Sequence, residues 1–589
     1  MNAGEFSHQK PLDFGAGGIT GSVDADGRII ALNCYDPVHG YITLTSADPF
    51  PDADRYDVQK VRAYRAALPK LAGFGLTGTD PITDRMVKWV VDTEPRVTLV
   101  YASGDVVPIA TAPIEHGAAQ FFLPTAGPMR FQGRLSLQRC AYTQLTEGGI
   151  LPMPPLEMHV VARDGILTIH NRGLNRTAAI LGISPDESLD VVVGQPIELD
   201  LALQKFMAVI LYRFGDRPED VRADIEALRP LIGQMMLRPP SPLGSLPADR
   251  VCRRGLIYGY QMCVPVGAGI CILTDHMLLP LSWNRDAYFV AMALLHGHKG
   301  GAELVRRHLI WMFEIAERIA GDWGRCYLAN GKVKDRAYQL DQQLYPVLEL
   351  CDYTSRTGDR ALIDHLRLHV KAVFEGLKRH KSPDHWLFAT DETPGDDPVA
   401  QPYHLSSHIL LWHTLSEWAS ITGDQTAAEW ARHIRPDIDT YFMANDADGK
   451  PMYAYTCDAR GGTHLYHDAN DLPTALGPAW GFCSADTLEW RNTVDFAFSA
   501  ANEACFNGRL GSVHTRAPWA LGDLQDVVIA RALHDSERES SAWERLRQGA
   551  AIDGALPEAY DGETGAVISR TWFAWPNATA ACIQLGVWG

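Results

Sequence analysis

No Cys-x-x-Cys pair occurs among the 11 cysteines, which are scattered from Cys34 to Cys582. That scatter speaks against a disulfide framework or a structural zinc site and suits a reducing compartment. No apolar run is long enough to span a bilayer. The start, Met1 to Gly18, has no basic segment followed by an apolar one, so no signal peptide is expected and the cytoplasm is the expected location. Positive charge is also short, with 53 Lys and Arg against 71 Asp and Glu and a net charge of −18. Nucleic acid and anionic membrane surfaces reward basic patches, so neither is expected as a partner. What remains is an ordinary globular composition, 46% hydrophobic and 21% charged, in 589 residues. That is too long for one core, so two or more domains are expected.

The texture changes near residue 240. Before it, short alternating segments dominate, such as Val97–Tyr101, Asp190–Val193 and Ile197–Leu201. Leu156–Val161 and Gly165–His170 flank an Arg163-Asp164-Gly165 turn and read as a hairpin. Residues 1–216 are therefore expected to form a β-sandwich. Residues 217–247 read as a linker, with a helix over 217–236 that starts at Pro218, then the stiff run Pro239–Ser245. From 248 to 589 amphipathic segments follow one another, at 287–296, 302–320, 340–353, 361–379, 404–421, 426–443, 486–501, 523–534 and 574–586. Thr-Gly-Asp punctuates them at 357–359 and 422–424, which suggests a repeated helix pair. The expected architecture is an N-terminal β-sandwich followed by an all-α (α/α)6 toroid, whose loops converge on a central pocket. A plain α-solenoid fits less well with a loop as long as 445–484.

Two acidic loops open onto helices, Asp391-Glu392-Thr393-Pro394-Gly395-Asp396-Asp397-Pro398 and Ala555-Leu556-Pro557-Glu558-Ala559-Tyr560. Helix capping alone accounts for either one. Two carboxyl groups over a rigid scaffold also meet the need of glycosidic hydrolysis, where one is protonated and one ionised. Trp283-Asn284-Arg285-Asp286 pairs a guanidinium and a carboxylate with an indole, a set that suits vicinal hydroxyls and a sugar face. Asp468, Asn470 and Asp471 are short polar groups of the same kind, beside His464 and His467, whose spacing is not that of a zinc site. Gly511–Thr515 and Arg570-Thr571-Trp572-Phe573-Ala574-Trp575-Pro576-Asn577 complete the inventory.

In this order along the chain, the segments resemble those of glycoside hydrolase family 125. Trp283–Asp286 is similar to its Arg-Asp-Ser segment. Tyr338–Asp341 with Tyr345-Pro346 is similar to its Glu-Leu-Asp and Tyr-Pro helix start. Gly395-Asp396-Asp397 with Pro402-Tyr403 and Ser407 is similar to Ser-Asp-Asp, Pro-Tyr and Ser. Asp468–Pro473, Gly511–Thr515, Pro557–Tyr560 and Arg570–Asn577 complete seven matches. The front domain, linker and Gln261–Asp275 stretch resemble bacterial glucoamylases, glycoside hydrolase family 15. The resemblance implies an inverting, metal-independent, exo-acting α-mannosidase on an (α/α)6 barrel, needing no cofactor and acting on an oligosaccharide or glycoside. An α-glucosidase of the glucoamylase type, a polysaccharide lyase and a non-catalytic glycan binder are the alternatives. The resemblance implies Asp396 as general acid and Glu558 as general base. Asp397 then grips hydroxyls, or exchanges roles with Asp396, and Asp391 and Glu392 stand in reserve. Adjacent carboxylates are expected to push one pKa up. Trp283, Arg285, Asp286, Asp341, Asp468, Asn470, His514, Arg570, Trp572, Trp575 and Asn577 are the expected substrate contacts.

Overall fold

The computed structural model describes residues 10–54, 57–91, 94–122, 129–140, 153–185, 188–232 and 246–588. The Pro239–Ser245 run lies outside them. Among the described residues of the first third, alternating segments pair into fifteen antiparallel strands. Two long strands carry the arrangement. Met129–Arg139 pairs with Gly75–Gly78 along its start and with Gly40–Thr45 along its end, while its other edge meets Ile197–Gly215. Ile197–Gly215 runs on to pair with Arg176–Pro185 and Gly117–Phe122. Strands that change partners along their length make the corners of a sandwich. Leu12, Phe14, Ile29, Leu99, Phe131, Ile169 and Ile180 fill the core between the inner faces. The expected hairpin is present as Met158–Arg163 and Ile166–Asn171. Asp164 and Gly165 take φ of 53° and 78° at its turn, the left-handed pair that a two-residue hairpin requires.

Among the described residues, one α-helix interrupts the strands. α1, Val58–Ala67, is capped by Asp57, which accepts from the amides of Gln59 and Lys60. Its Val61, with Leu68 just beyond, packs into the same core as Met277 and Leu278 of the helical region. α2, Pro218–Leu228, starts on Pro218 as expected, and a 3-10 turn, Arg229–Leu231, follows it.

Twelve helices then alternate between an outer and an inner ring. The outer ones are α3 (Arg250–Gln261), α5 (Gly301–Ile310), α7 (Arg360–Leu377), α9 (Gln425–Tyr441), α11 (Leu488–Ala497) and α13 (Ser536–Gly549). The inner ones are α4 (Asn284–Gly297), α6 (Leu340–Thr357), α8 (Leu405–Thr422), α10 (Leu472–Ala475), α12 (Ala520–Ala532) and α14 (Ala574–Gln584). Each inner helix packs on the next, and α14 closes back on α4, so the ring is an (α/α)6 toroid. The inner helices are buried nearly all round; of the outer ones α3 is largely covered, and the rest expose a polar face. Gly358 and Gly423, each at φ 74°, end α6 and α8 in left-handed caps, and Asp359 and Asp424 at once cap the helix that follows. The Thr-Gly-Asp punctuation is thus the inner-to-outer turn.

Two expectations shift. The helix expected over 302–320 ends at Ile310 and continues only as a π turn, Trp311–Ile315. Ala320 and Gly321 take φ of 52° and 97°, which makes a turn between two short strands instead. The long loop 445–484 holds an inner helix, α10, a single turn opening on Leu472-Pro473 and too short to show a periodicity.

The front domain is pinned to the barrel by buried charge. Asp13 Oδ1 accepts from Lys10 Nζ at 2.8 Å and from Trp572 Nε1 at 3.0 Å, and its Oδ2 pairs with Arg254. Asp553 closes the set, 2.7 Å from Lys10 Nζ and 3.3 Å from Arg254 Nε. All four charged side chains are at most 2% exposed. Burial opposes ionisation of Asp13, but Arg254 and Lys10 outweigh it and hold the carboxyl well below the usual range. Beside them His276 is kept neutral by burial, its pKa pushed down to about 3, and it meets Ser22 Oγ at 2.8 Å. Asp13→Ala would leave two buried cations short of a partner and should cost about 3–5 kcal/mol, read as a fall in the thermal midpoint. An unchanged midpoint would mean that the network does not hold the domains.

Candidate active site

Trp283, Gln339, His404, Asp471, Trp519 and Phe573 hold the N-cap positions of the six inner helices. Only His404 caps its helix through its side chain; the other five leave their side chains for other work. Residues at or beside these N-termini, among them Trp283, Asn470, Trp519 and Phe573, line one cavity of about 1170 Å³. The helix dipoles therefore meet at its floor, where free amides and partial positive charge favour carboxylates and hydroxyl oxygens.

Arg285 is the centre of the floor. Buried in the first turn of α4, its Nη1 donates to Asp341 Oδ2 at 3.2 Å and Gln339 Oε1 at 3.4 Å. Its Nε lies 3.4 Å from Asp286 Oδ1, its Nη2 lies 3.7 Å from Asp396 Oδ1, and its guanidinium stacks 4.7 Å from the Trp575 ring centre. Burial works against this charge, but Asp341, Asp286 and Asp396 more than restore it. Burial pushes the Asp286 carboxyl up against the pull of Arg285. Asp286 Oδ2 accepts from Thr274, while Oδ1 has no hydrogen-bond donor among the described residues. The indole N–H groups of Trp283, Trp519 and Trp575 are buried without an acceptor in the same way. Unpaired polar atoms of this kind are costly, and these four belong to residues that line the cavity.

The first acidic loop folds on itself. The amide of Thr393 donates to Asp397 O at 2.9 Å and that of Asp396 to Thr393 O at 3.0 Å. This fold sets Asp396 at φ 64°, a left-handed conformation for a non-glycine residue, and brings it to the cavity wall. Gln339 Nε2 donates to Asp396 Oδ1 at 2.7 Å and to Glu392 Oε2 at 3.0 Å. Glu392 lies behind the wall, held by Arg325 at 3.1 Å. Burial pushes its carboxyl up to about 7; Arg325 opposes this and Asp396 adds to it. Asp391 is exposed and stands off the cavity.

The second acidic loop enters a short hairpin, Ala559–Tyr560 against Val567–Ser569. Glu558 lies beside it, far along the chain from Asp396, yet lines the same cavity. Ser569 Oγ donates to its Oε2 and Arg570 Nη1 to its Oε1 at 3.3 Å. Arg570 also takes a left-handed φ, 46°, and its guanidinium stacks 3.8 Å from the Phe573 ring centre. Both left-handed residues, Asp396 and Arg570, thus sit on the cavity wall.

Of the expected contacts, Trp283, Arg285, Asp286, Asn470, His514, Arg570 and Trp575 line the cavity with Asp396 and Glu558. The other five do not. Asp341 stands behind Arg285 as its ion-pair partner. Asp468 stands behind Asn470, accepting its side-chain amide at 2.6 Å. Asp397 turns outward to His514 Nδ1 at 3.4 Å. Trp572 points away to Asp13, and Asn577 braces the second acidic loop through Leu556 N and O. Arg325, Trp519, Ser569 and Phe573 also line the cavity. Phe573 lies within an expected motif, whereas Arg325 and Trp519 carry no such local signal.

The sequence profile described as "Metal-independent alpha-mannosidase (GH125)" matches residues 375–584, a span that holds five of the seven resembling segments. No curated protein sequence matches the chain. Among solved structures, a bacterial glucoamylase complexed with acarbose is 13% identical with a TM-score of 0.66, covering 98% of this chain and 93% of that one. Sandwich and toroid together therefore follow a known two-part fold. A metal-independent α-mannosidase of Streptococcus pneumoniae, in a non-productive complex with α-1,6-mannobiose, is 20% identical with a TM-score of 0.49, covering 58% of this chain and 93% of that one.

His514 reports on the charge of the site. Its bond to Asp397, working against burial and joined by the charge of Glu558, pushes the imidazole up to about 9, so it is cationic at neutral pH. In Asp397→Asn the imidazole should titrate at least about one unit lower, towards its ordinary value near 6.5, in an NMR titration. A midpoint that stays near that of the parent protein would detach His514 from this carboxylate.

Proposed function

We propose that the protein is an exo-acting, inverting glycoside hydrolase that removes a terminal α-linked mannose from an oligosaccharide or glycoside. The observation that carries the reading is that Asp396 and Glu558, from loops far apart in sequence, face a single cavity floored by inner-helix N-termini. The family profile over residues 375–584 supports mannose as the sugar. In this reading residues 1–216 form the sandwich, 217–247 the linker and 248–589 the catalytic barrel.

The terminal sugar fills the floor. Arg285, Asp286 and Asn470 grip its hydroxyls, and Trp283 and Trp575 cover its apolar face. Asp396 protonates the leaving oxygen. Glu558, oriented by Ser569 and Arg570, takes a proton from a water that attacks the anomeric carbon from the opposite face. The bond to the leaving oxygen breaks as the new C–O bond forms, in one displacement. Asp341 holds Arg285, Asp468 holds Asn470, Asn577 braces the second acidic loop, Trp572 ties the barrel to Asp13, and Asp397 works through His514.

The outward turn of Asp397 favours Asp396 as the acid. Asp396→Asn and Glu558→Gln should each lower kcat on an α-mannobiose by about 10²–10⁴-fold, the range of a lost general acid or base, with unchanged circular dichroism. Asp397→Asn should lose less than either. Full activity in Glu558→Gln would overturn the assignment. Assays on α-mannobioses beside maltose and isomaltose test the sugar; turnover of the glucosides alone would replace mannose by glucose.

A further inference from the structure

The outer wall of the cavity comes from the front domain, and its chemistry differs from that of the floor. In a chain with 71 acidic and 53 basic residues, the cavity inverts the balance, with seven Lys or Arg and four Asp or Glu on its lining. Four of those cations, Lys10, Arg285, Arg325 and Arg570, are tied into ion pairs. Three of the seven come from one short stretch. Arg62 and Arg65 lie on α1 and Lys70 on the 3-10 turn that extends it, Leu68–Lys70.

Their spacing gives them one face. Positions 62, 65, 66, 69 and 70 follow helical periodicity, and all five line the cavity. Val61 and Leu68 lie on the other side and pack into the core shared with the barrel, so the helix cannot roll its cations away. Between the cations stand Ala66 and Pro69, too small to fill the space. Arg62 and Lys70 are exposed and have no ion-pair partner among the described residues. Asp24 lines the same wall, but its carboxylate already accepts from the amides of Asp26, Arg28 and Gly73.

We propose that this cationic face of α1 is a leaving-group site, selecting substrates whose aglycone carries a phosphate or carboxylate. The inference rests on the reading of the floor as the seat of the terminal sugar. The floor is buried and rich in indoles and carboxylates, the groups that suit neutral hydroxyls. The wall offers neither indole nor free carboxylate; its polar groups are mostly cations, set among small and apolar residues such as Ala25, Ala66 and Pro69, on the side where a leaving group must project. Guanidinium and ammonium groups in that setting recognise anions.

The test compares α-mannosides that differ only in aglycone: a neutral phenyl ring, the same ring bearing a carboxylate, and the same ring bearing a phosphate. The ratio of kcat/KM for each anionic substrate to the neutral one should be about tenfold at low ionic strength and shrink in about 0.5 M salt. In R62E/K70E the ratio should fall to one or below. The relative ranking of the carboxylate and phosphate arms identifies which anion the wall prefers. A wild-type ratio of one, or a ratio unmoved in R62E/K70E, would overturn the proposal. Should none of these α-mannosides turn over, the mannosidase reading fails by itself. Calorimetric binding of the same three compounds to the parent protein and to R62E/K70E then decides the wall, by the same comparison of anionic with neutral.

Discussion

Asp13 fixes the height at which the front domain meets the barrel. Its carboxylate is shared by Lys10, Arg254 and the indole of Trp572, a residue 559 positions away. Trp572 stands one residue before Phe573, the N-cap of α14, and three before Trp575, whose ring lies against Arg285. One buried carboxylate thus connects the first described strand to the floor of the cavity. A buried network of two cations and two anions gives little net stability by itself, because desolvation offsets most of the Coulomb attraction. What it supplies is register: a shifted sandwich would leave charge unpaired in the interior. That register also sets where α1 hangs over the mouth, so the outer wall and the floor share one constraint.

The ring supplies the second condition. An (α/α)6 toroid gathers six inner-helix N-termini at one end, and each brings unpaired amides and partial positive charge. Five of the six N-cap residues make no cap bond with their side chains, so the positive end is left to the cavity and to the acids around it. Arg285 adds a full charge and is surrounded by Asp341, Asp286 and Asp396. The conformational strain of Asp396 and Arg570, both left-handed, is carried on the wall of the cavity that both acidic loops line. The loops need not be flexible to meet; the scaffold holds them in place.

Much of this was legible in the sequence because its causes are local. Asp164-Gly165 made the hairpin, Gly358 and Gly423 stopped α6 and α8, and helical spacing located most of the ring. Arg285, Asp286, Asn470 and Trp575 were legible too, since each sits at the start of an inner helix. The illegible parts depend on distant partners. Trp572 and Asn577 share a motif with Trp575, yet one turns to Asp13 and the other braces Leu556. Spacing along α14 alone does not reveal that. Asp341 and Asp468 are aimed at the site but stop at Arg285 and Asn470. The carboxyl pushed up in the first loop is Glu392, at about 7, and burial is the main cause, which no count of neighbouring acids in the sequence conveys. Arg62 and Lys70 gave no signal at all, because their relevance comes from docking across the domain boundary.

The central claim is a single displacement with Asp396 and Glu558 on opposite faces of a terminal α-linked sugar. The most direct measurement is proton NMR of the product during the first minutes of hydrolysis, before mutarotation. The β anomer should appear first and relax later towards the equilibrium mixture. Initial release of the α anomer would mean retention and would contradict the single displacement.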